Sequence, residues 1–381
     1  MAREQNWLGK LALDLHRHPE LSFQERRTSE QLIKNLVKNG FQVRRNLAGL
    51  ETGFRAFSQY GPAHPAVAFL AEMDSLAELG HACGHNLIAV SSLGAGIILR
   101  QAFPELQGAI EVIGCPAEER GGGKVILDNA GVFEHLDFAM LIHPSHRTEI
   151  YKLSLALVEV ELLFLGKSAH ASAAPEKGIN ALDALLQTFN SVNALRSRLT
   201  GYARINGIIT EGGKAPNIIP DRARAEFWVR EETLNQAVEY AEMVVNLAQA
   251  SAQALGAKLK ARIRKELAYA PFLPNRAAGK ILRQIYEELG IKIEQGDERA
   301  EMGSTDLGNL SWKVPALHPT IAIASALPHT PEFARASGSE QGLKAMRKAI
   351  LAMAMIGYRV MTDSELRKKM KAEWRESRKL K

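Results

Sequence analysis

The chain has 381 residues, of which 46% are hydrophobic and 24% charged, a composition typical of a globular protein with room for two domains. Its two cysteines exclude a disulfide framework and favour a reducing, cytoplasmic environment. The sequence predicts neither a signal peptide nor a membrane span, and we expect no membrane partner.

The net charge of +6 is concentrated at the C-terminus. The segment from Ser364 to Lys381 holds eight Lys and Arg against three Glu, and the rest of the chain is nearly balanced. A nucleic-acid-binding surface would interleave aromatic residues with this charge, and the segment has only Trp374. We therefore expect a solvated basic helix that frays at its end, and no nucleic-acid partner.

The first third of the chain alternates helical and strand patterns. Residues 6–16 and 28–40 have helical spacing of apolar residues, and residues 87–102 form an apolar run long enough for a buried helix. Short apolar runs at 65–74, 108–119 and 137–146 predict three strands, two ending on acidic residues and one on histidine. This alternation predicts an α/β domain with a mainly parallel sheet and helices on both faces, whose ligand site lies at the strand ends.

The pattern changes in the middle of the chain. Period-two strands, helices and turns follow each other there in the order strand–helix–strand–strand–helix–strand, which predicts an inserted ferredoxin-like α+β domain. We place the first part of the α/β domain at residues 1–157, the inserted domain at 158–265, and the second part of the α/β domain at 266–381. A free edge of the inserted sheet would allow pairing with a second copy, so we expect a homodimer or higher homo-oligomer.

The stretch "ELGHACGHNL", residues 78–87, places His81, Cys83 and His85 on alternate positions. In an extended or loop segment this spacing points the side chains the same way. Three interpretations are open at this point: a metal site, a Cys–His nucleophile pair, and a histidine-rich structural turn.

Two adjacent glutamates, Glu118 and Glu119, end the second predicted strand and precede three glycines, which let the backbone approach a ligand closely. Because successive side chains of a strand diverge, one can bind a metal while the other acts as a base, as metal-assisted hydrolysis requires. His143 ends the third strand, and His329 lies in "ALPHTPEF". Cys115, within an apolar strand, is interpreted as inert core.

These residues lie in stretches that resemble metallopeptidase family M20, and in particular its amidohydrolase branch of hippurate, auxin-conjugate and p-aminobenzoyl-glutamate hydrolases. The short connection "AEMDSLAELGHACGHN", with Asn86 after His85, is most similar to the aminobenzoyl-glutamate and β-alanyl-dipeptide hydrolases. From Leu15 to about Arg335 the matching stretches occur in the family's order, and they are "LHRHPELSFQE", "AEMDSL", "GHACGHN", "PAEERGGGK", "IHP", "FLGKSAHASAAPEKGINALDA", "EGGKAPNIIPDRARAEFWVR", "GSTDLGNLS" and "LPHTPEF".

The resemblance implies two divalent metal ions per subunit, Zn or Mn before Ni or Co, with Cys83 bridging them. Glu118 is then the general base, and Asp74 is a carboxylate that supports a ligand from behind. In the inserted lid domain, His170 is implied to stabilise the oxyanion, often across a dimer. Substrate contacts are implied for Asn217, Arg230 and Gly303. The implied metal ligands are Cys83, His85, Glu119, His143 and His329.

The predicted function is metal-dependent hydrolysis of the amide bond in a small N-acyl amino acid or dipeptide that bears a free carboxylate. Glu118 would take the proton of a metal-bridging water, and Arg230 would clamp the carboxylate. Two alternatives are a non-catalytic small-molecule binder of the same fold and a thiol hydrolase that uses Cys83 and His85.

Overall fold

The computed structural model describes residues 2–199, 201–294 and 296–379. It separates into two compact units. The α/β unit comprises Met1–Leu153, Phe272–Met302 and Asp306–Lys381, and the ferredoxin-like unit comprises Ser154–Pro271 and Gly303–Thr305. Among the described residues, no helix has both the length and the apolar composition that crossing a membrane would require.

Elements are numbered in chain order. The α/β unit contains strands β1 to β6, β11 and β12, and the ferredoxin-like unit contains β7 to β10. Strand bounds are Gln42–Arg45, Phe54–Tyr60, Ala66–Glu72, Gly108–Cys115, Phe138–Met140, His143–Ser145, Ala156–Leu165, Arg204–Glu211, Arg222–Glu231, Lys258–Ile263, Ala316–Leu317 and Thr320–Ala322. Helices α1 to α11 span Ala2–Arg17, Arg26–Lys38, His85–Ala102, Gly123–Asn129, Ala181–Arg196, Leu234–Ala254, Arg276–Glu288, Leu307–Ser311, Pro331–Ser337, Glu340–Thr362 and Ser364–Ser377.

The sheet of the α/β unit has the strand order β1-β2-β4-β3-β5-β11. The pairs β4–β3, β3–β5 and β5–β11 are parallel, whereas β1–β2 and β2–β4 are antiparallel. Alternate residues of β3 enter different cores: Phe69 packs with α3 and α10, and Leu70 packs with α4 and α8. Helices therefore cover both faces, and the predicted α/β class is confirmed.

The third predicted strand is interrupted, which corrects the sequence interpretation of residues 137–146. Strand β5 ends at Met140, and His143 begins β6, which pairs in parallel with β12 in a separate two-stranded sheet. Pro144 lies in β6 and has no N–H to donate, so a continuous central strand through it is disfavoured. The break places His143 beyond the end of the main sheet.

The basic C-terminal segment forms helix α11, and one of its faces is packed rather than solvated. Leu366 and Met370 are buried, and Nε1 of Trp374 donates a hydrogen bond to the carbonyl oxygen of Ser311 at 2.9 Å. The carboxylate of Glu373 accepts the backbone N–H groups that begin α7. The expectation of a solvated helix is corrected for this face, because its apolar positions recur at helical spacing and bury a stripe.

The ferredoxin-like unit contains an antiparallel sheet of order β10-β7-β9-β8. Helices α5 and α6 cover one face, because inward residues such as Val160 and Phe227 alternate with more exposed ones along each strand. Both helices begin with side-chain caps, from Asn180 and Thr233. The predicted β-α-β-β-α-β topology is confirmed.

Candidate metal centre

A tight turn before α3 presents the two ligand candidates of the histidine-rich stretch. Gly84 lies between them with φ of +82°, and a Cβ atom there would come within 2.9 Å of Cγ of Pro144. Glycine is required at this position because it tolerates both the left-handed backbone and the close approach. Cys83 therefore ends the turn and His85 begins the helix.

Two other ligand candidates lie at or near strained backbone positions. Ala117, directly before the glutamate pair, has φ of +58°, and His329 has φ of +65°. The N–H of His329 donates to the carbonyl oxygen of Ala82 at 2.9 Å, which fixes this turn against the histidine-rich stretch. Left-handed non-glycine residues are costly and cluster at functional sites.

The side chains of the five ligand candidates converge within the α/β unit. Sγ of Cys83 lies 3.6 Å from Nε2 of His143 and 3.4 Å from Nε2 of His329. Glu119 points one oxygen toward His85 at 3.8 Å and the other toward His329 at 3.8 Å. Their ligand atoms form two groups that share the Cys83 sulfur, each with all atoms within 4.8 Å of one another: Cys83, His85 and His143, and Cys83, Glu119 and His329.

Asp74 is not one of the ligand candidates but forms hydrogen bonds that orient them. Nδ1 of His85 lies 3.2 Å from its Oδ1 and 3.0 Å from its carbonyl oxygen, both acceptors, so Nδ1 carries a proton. The backbone N–H groups of Glu118 and Glu119 donate to the two oxygens of the same carboxylate, at 3.2 Å and 3.0 Å. One buried aspartate thus orients an imidazole and both glutamates.

The donor set fits divalent metal ions. Nε2 of His85 and Oε1 of Glu119 are buried, and neither has a hydrogen-bond partner within the described ranges. Burial lowers the pKa of His143 to about 3, which keeps its lone pair free. Burial opposes protonation of His85, but Asp74 and neighbouring groups raise its pKa well above the usual range, so binding a metal at Nε2 would displace a proton. Thiolate and imidazole ligands suit zinc, and carboxylates extend the range to manganese.

Glu118 lies beside the ligand candidates but belongs to neither of the two groups that share Cys83. Its Oε2 is 3.9 Å from Nε2 of His85. Burial, followed by the charge of Glu72, raises the pKa of Glu118 well above its usual range. A carboxyl group with a raised pKa can hold a proton near neutral pH, as a proton shuttle must.

Three buried charged residues next to the cluster were not predicted as site residues. Glu72 ends β3, Lys124 follows the triple glycine, and Asp306 precedes α8; all are at most 1% exposed. A charged residue at the end of an apolar strand or directly after a glycine loop was the available signal. The histidine-rich stretch also contains His81, which is buried and stacks on His16 at 6.3 Å between ring centroids but belongs to neither ligand group.

The ferredoxin-like unit brings two predicted substrate-site residues together and holds two more. The backbone N–H of Ala171 donates to the carbonyl oxygen of Asn217 at 3.0 Å, so the loops of His170 and Asn217 are adjacent. Nδ1 of His170 accepts backbone N–H groups from Ser172 and Ala173, both at 3.2 Å. Because an accepting Nδ1 is unprotonated, Nε2 of His170 carries the proton of the neutral ring.

Arg230 is fixed by two contacts within the same unit. Its guanidinium carbon lies 5.0 Å from the ring centroid of Trp228, and its Nε donates to Oγ of Ser304 at 3.2 Å. The carbonyl oxygen of Gly303 accepts a hydrogen bond from Leu155 at 2.8 Å, and the space around its Cα would admit a side chain.

An α/β unit that presents paired imidazole, thiol and carboxylate ligands at its strand ends is the architecture of a metal-dependent hydrolase. Comparison with known proteins gives the family. Residues 155–270 match the model described as "Peptidase dimerisation domain". The chain is 33% identical over 385 residues to an Xaa-Arg dipeptidase from Mus musculus, covering 97% of this chain and 89% of that protein.

Two further proteins are similar to this chain. The chain is 29% identical to one of the subunits of p-aminobenzoyl-glutamate hydrolase from Escherichia coli, covering 74% of this chain and 62% of that protein. The crystal structure of a dinuclear metal-binding peptidase of the M20 family from Bacillus subtilis has a similar fold, with a TM-score of 0.64, 20% identity, and coverage of 94% and 99% of the two chains. The chain belongs to the M20 family of peptidases and amidohydrolases.

Proposed function

We propose that this chain is a dinuclear metal-dependent amidohydrolase that cleaves the amide bond of a small N-acyl amino acid or dipeptide with a free carboxylate. The observation that carries the proposal is the Cys83 sulfur, which lies 3.6 Å from His143 and 3.4 Å from His329 and so belongs to two ligand groups at once. A thiolate shared between two ligand groups would suit two bound ions.

In this proposal His85 and His143 would hold one ion, Glu119 and His329 would hold the other, and Cys83 would contribute to both ligand groups. Bound ions supply Lewis-acid chemistry: they lower the pKa of water and polarise the substrate carbonyl. Zinc or manganese is our first choice, because the donor set mixes thiolate, imidazole and carboxylate.

Glu118 is the proposed general base and acid. Its backbone is fixed by Asp74, its Oε2 lies close to His85, and its raised pKa allows it to take a proton from the attacking water. It then gives this proton to the nitrogen of the leaving amine. Glu119, whose two oxygens face His85 and His329, is directed at the ligand groups instead.

The ferredoxin-like unit supplies the proposed substrate contacts. Nε2–H of His170 is the proposed donor to an oxyanion, because Nδ1 accepts two backbone N–H groups and the neutral ring then carries its proton on Nε2. The Arg230 guanidinium, oriented by Trp228 and Ser304, can donate in parallel to a carboxylate. Asn217 and Gly303 are proposed as further substrate contacts.

The substrate class is proposed from the relatives' names and from the motif resemblance. It includes dipeptides with C-terminal arginine, β-alanyl dipeptides and p-aminobenzoyl-glutamate, each an amide of an amino acid with a free carboxylate. A cytoplasmic location is part of the same proposal, because both cysteines are free thiols.

A homodimer through the outer strand β8 completes the proposal. Within the part of the chain that the structure describes, β8 pairs only with β9, and Ile208 and Ile209 on it are 61% and 41% exposed. The opposite edge strand, β10, instead exposes Lys258 and Lys260, which discourage edge pairing. The match to a peptidase dimerisation domain supports a homo-oligomer, and the exposed apolar edge is our reason for choosing β8.

The experiment loads the purified chain with zinc or manganese and measures hydrolysis of the proposed substrates together with N-acetyl and N-benzoyl amino acids. Activity that disappears with a chelator and returns with metal supports the proposal. A thiol hydrolase would keep its activity in chelator, although burial and the nearby Glu119 raise the pKa of the Cys83 thiol and so oppose a nucleophilic thiolate there. A binder without turnover would take up metal and substrate and release no amine.

A further inference from the structure

Lys124 is a fully buried cation at the floor of the metal centre. It lies in the first turn of α4, directly after the glycine loop that follows Glu118 and Glu119. Its Nζ is 2.8 Å from Oε1 of Glu72 and forms an ion pair with Oδ1 of Asp306. Its backbone N–H donates to the other oxygen of Asp306 at 2.8 Å, so the residue is held from both ends.

The carboxylates around this lysine crowd together. Glu72, Glu118 and Asp306 each place an oxygen within 4.8 Å of the others. When Glu118 is ionised, as a base must be, three like charges at this separation repel strongly in a buried site, where the effective dielectric constant is far below that of water. Lys124 pairs directly with two of them and leaves the third, Glu118, without a direct partner in this group.

Stability does not explain this arrangement. Burying charges carries a desolvation cost that their mutual attraction often fails to offset, and well-packed apolar residues can replace such pairs without loss of stability. Glu72 also faces the metal ligands, because its Oε2 lies 3.5 Å from Nε2 of His85. Lys124 therefore determines the net negative charge next to the metal ligand His85 and the proposed base Glu118.

We propose that Lys124 is a positioning residue for the reaction: its ammonium pairs with both Glu72 and Asp306 and offsets one of their two negative charges, so that Glu118 can remain beside them in its reactive orientation. This inference rests on the proposed function, in which Glu118 moves the proton. It assigns to Lys124 a role through charge, not through contact with substrate.

The test compares Lys124→Met with the double variants Lys124→Met/Asp306→Asn and Lys124→Met/Glu72→Gln, all as metal-loaded full-length protein. We expect Lys124→Met to lower kcat by about 100-fold, a loss within the range for impaired general acid–base catalysis, with KM changed by less than about threefold. Each double variant should recover at least about tenfold of that loss, because it removes a carboxylate charge that the single variant leaves unpaired.

A purely structural role predicts the opposite order. If Lys124 served only as a hydrogen-bonding anchor, the second substitution would remove a further contact and deepen the loss, which would overturn the proposal. Metal content is measured for every variant, and the expected result is retention of both ions. Should the single variant fail to fold, a double variant that folds and keeps kcat within about tenfold of wild type supports the charge argument, and one that folds without recovering kcat overturns it.

Arg55→Met is the matched control. Arg55 pairs with Glu111, a fully buried carboxylate in the same sheet that has no place in the proposed reaction. We expect it to lower thermal stability while leaving kcat unchanged. If the wild-type protein cleaves no amide with either metal, the proposed function fails and this inference fails with it. If the wild-type protein is active and Lys124→Met keeps its kcat, only the inference fails.

Discussion

The Oδ1 atom of Asp74 lies 3.2 Å from Nδ1 of His85, and the same oxygen accepts the backbone N–H of Glu118, also at 3.2 Å. One carboxylate therefore fixes both the tautomer of a proposed metal ligand and the backbone of the proposed base. The second oxygen, Oδ2, is held by the hydroxyl of Ser22 at 2.7 Å. The hydrogen bonds that the Asp74 carboxylate accepts therefore hold the neighbouring side chains and backbone in fixed positions.

Asp74→Asn should weaken metal binding by about 10- to 100-fold, as expected for loss of a carboxylate behind a histidine ligand. Isothermal titration of metal-free protein with zinc measures this directly. Asp137→Asn is the control, because Asp137 likewise contacts a histidine Nδ1, of His64 at 2.8 Å, and accepts the backbone N–H of Ala66 at the opposite end of β3. Equal affinity in Asp74→Asn and wild type would contradict the assigned role.

Substitution of Glu118 and of Glu119 should impair the protein in different ways. Glu118→Ala should keep both ions and lose about 10²- to 10⁴-fold in kcat, because only the proton shuttle is removed. Glu119→Ala should lose metal, because its two oxygens face His85 and His329. Metal content by elemental analysis beside steady-state kinetics separates these outcomes. Similar metal loss in both variants would refute the division of roles.

Gly84→Ala should disturb the site more than its backbone conformation alone implies. Gly84 and Gly40 share φ of +82°, so alanine at either position costs about 1–2 kcal/mol of folding free energy. A Cβ at Gly84 also meets Pro144 at 2.9 Å, whereas Gly40 has nothing within 4 Å. We expect both variants to lose thermal stability, and only Gly84→Ala to lose metal affinity. Normal zinc titration by Gly84→Ala would show that the turn adapts.

Periodicity was sufficient to predict the strand and the helix on either side of the histidine-rich stretch, but not the break before His143. Strand β3 is buried along its whole length and reads as a continuous apolar run, and α3 follows it with apolar residues on every side. Strands β1 and β2 were not predicted. Residues 42–45 read "QVRR" and are largely exposed, so the alternation that indicates a strand is too short there, and its place in the sheet depends on pairing with β2.

The convergence of the ligand candidates was accessible from sequence only through resemblance. Strand ends predicted that Glu118 and His143 share an edge, but no periodicity relates them to His329, which itself has a strained backbone and lies far along the chain. Lys124 was missed for a different reason: a lysine beside a glycine loop reads as solvated, and its burial depends on two carboxylates from distant segments.

Arg230→Ala should discriminate between acids and amides. If its guanidinium clamps a free carboxylate, the variant should lose about 2–5 kcal/mol of transition-state binding on acids and far less on the matching C-terminal amides. The comparison of kcat/KM on each pair measures this difference. Arg224→Ala, on the same strand but exposed and paired with Glu211, is the control and should behave as wild type. Equal losses of kcat/KM on acids and amides would contradict the proposal that Arg230 binds the substrate carboxylate.

The outer strand β8 is the proposed dimer contact, and its exposed edge can be tested by substitution. If the dimer forms by pairing of two β8 edges, Ile208→Lys should convert the protein to a monomer, because it places like charges in apposition across a two-fold axis. Sedimentation at several concentrations measures the change, and Leu186→Lys, at an exposed leucine on α5, should leave the oligomer intact. A wild-type monomer would remove the dimer proposal altogether.

Complementation tests whether His170 acts on the partner's site. His170→Ala and Glu118→Ala proteins should each be inactive alone. Mixed in equal amounts under subunit exchange, they should recover about a quarter of the wild-type sites, because half of the dimers are mixed and each has one complete site. Action of His170 within its own chain predicts no recovery, since every site then lacks one of the two residues. Mass spectrometry of differently tagged subunits must establish exchange, so that absence of activity counts against action across the dimer.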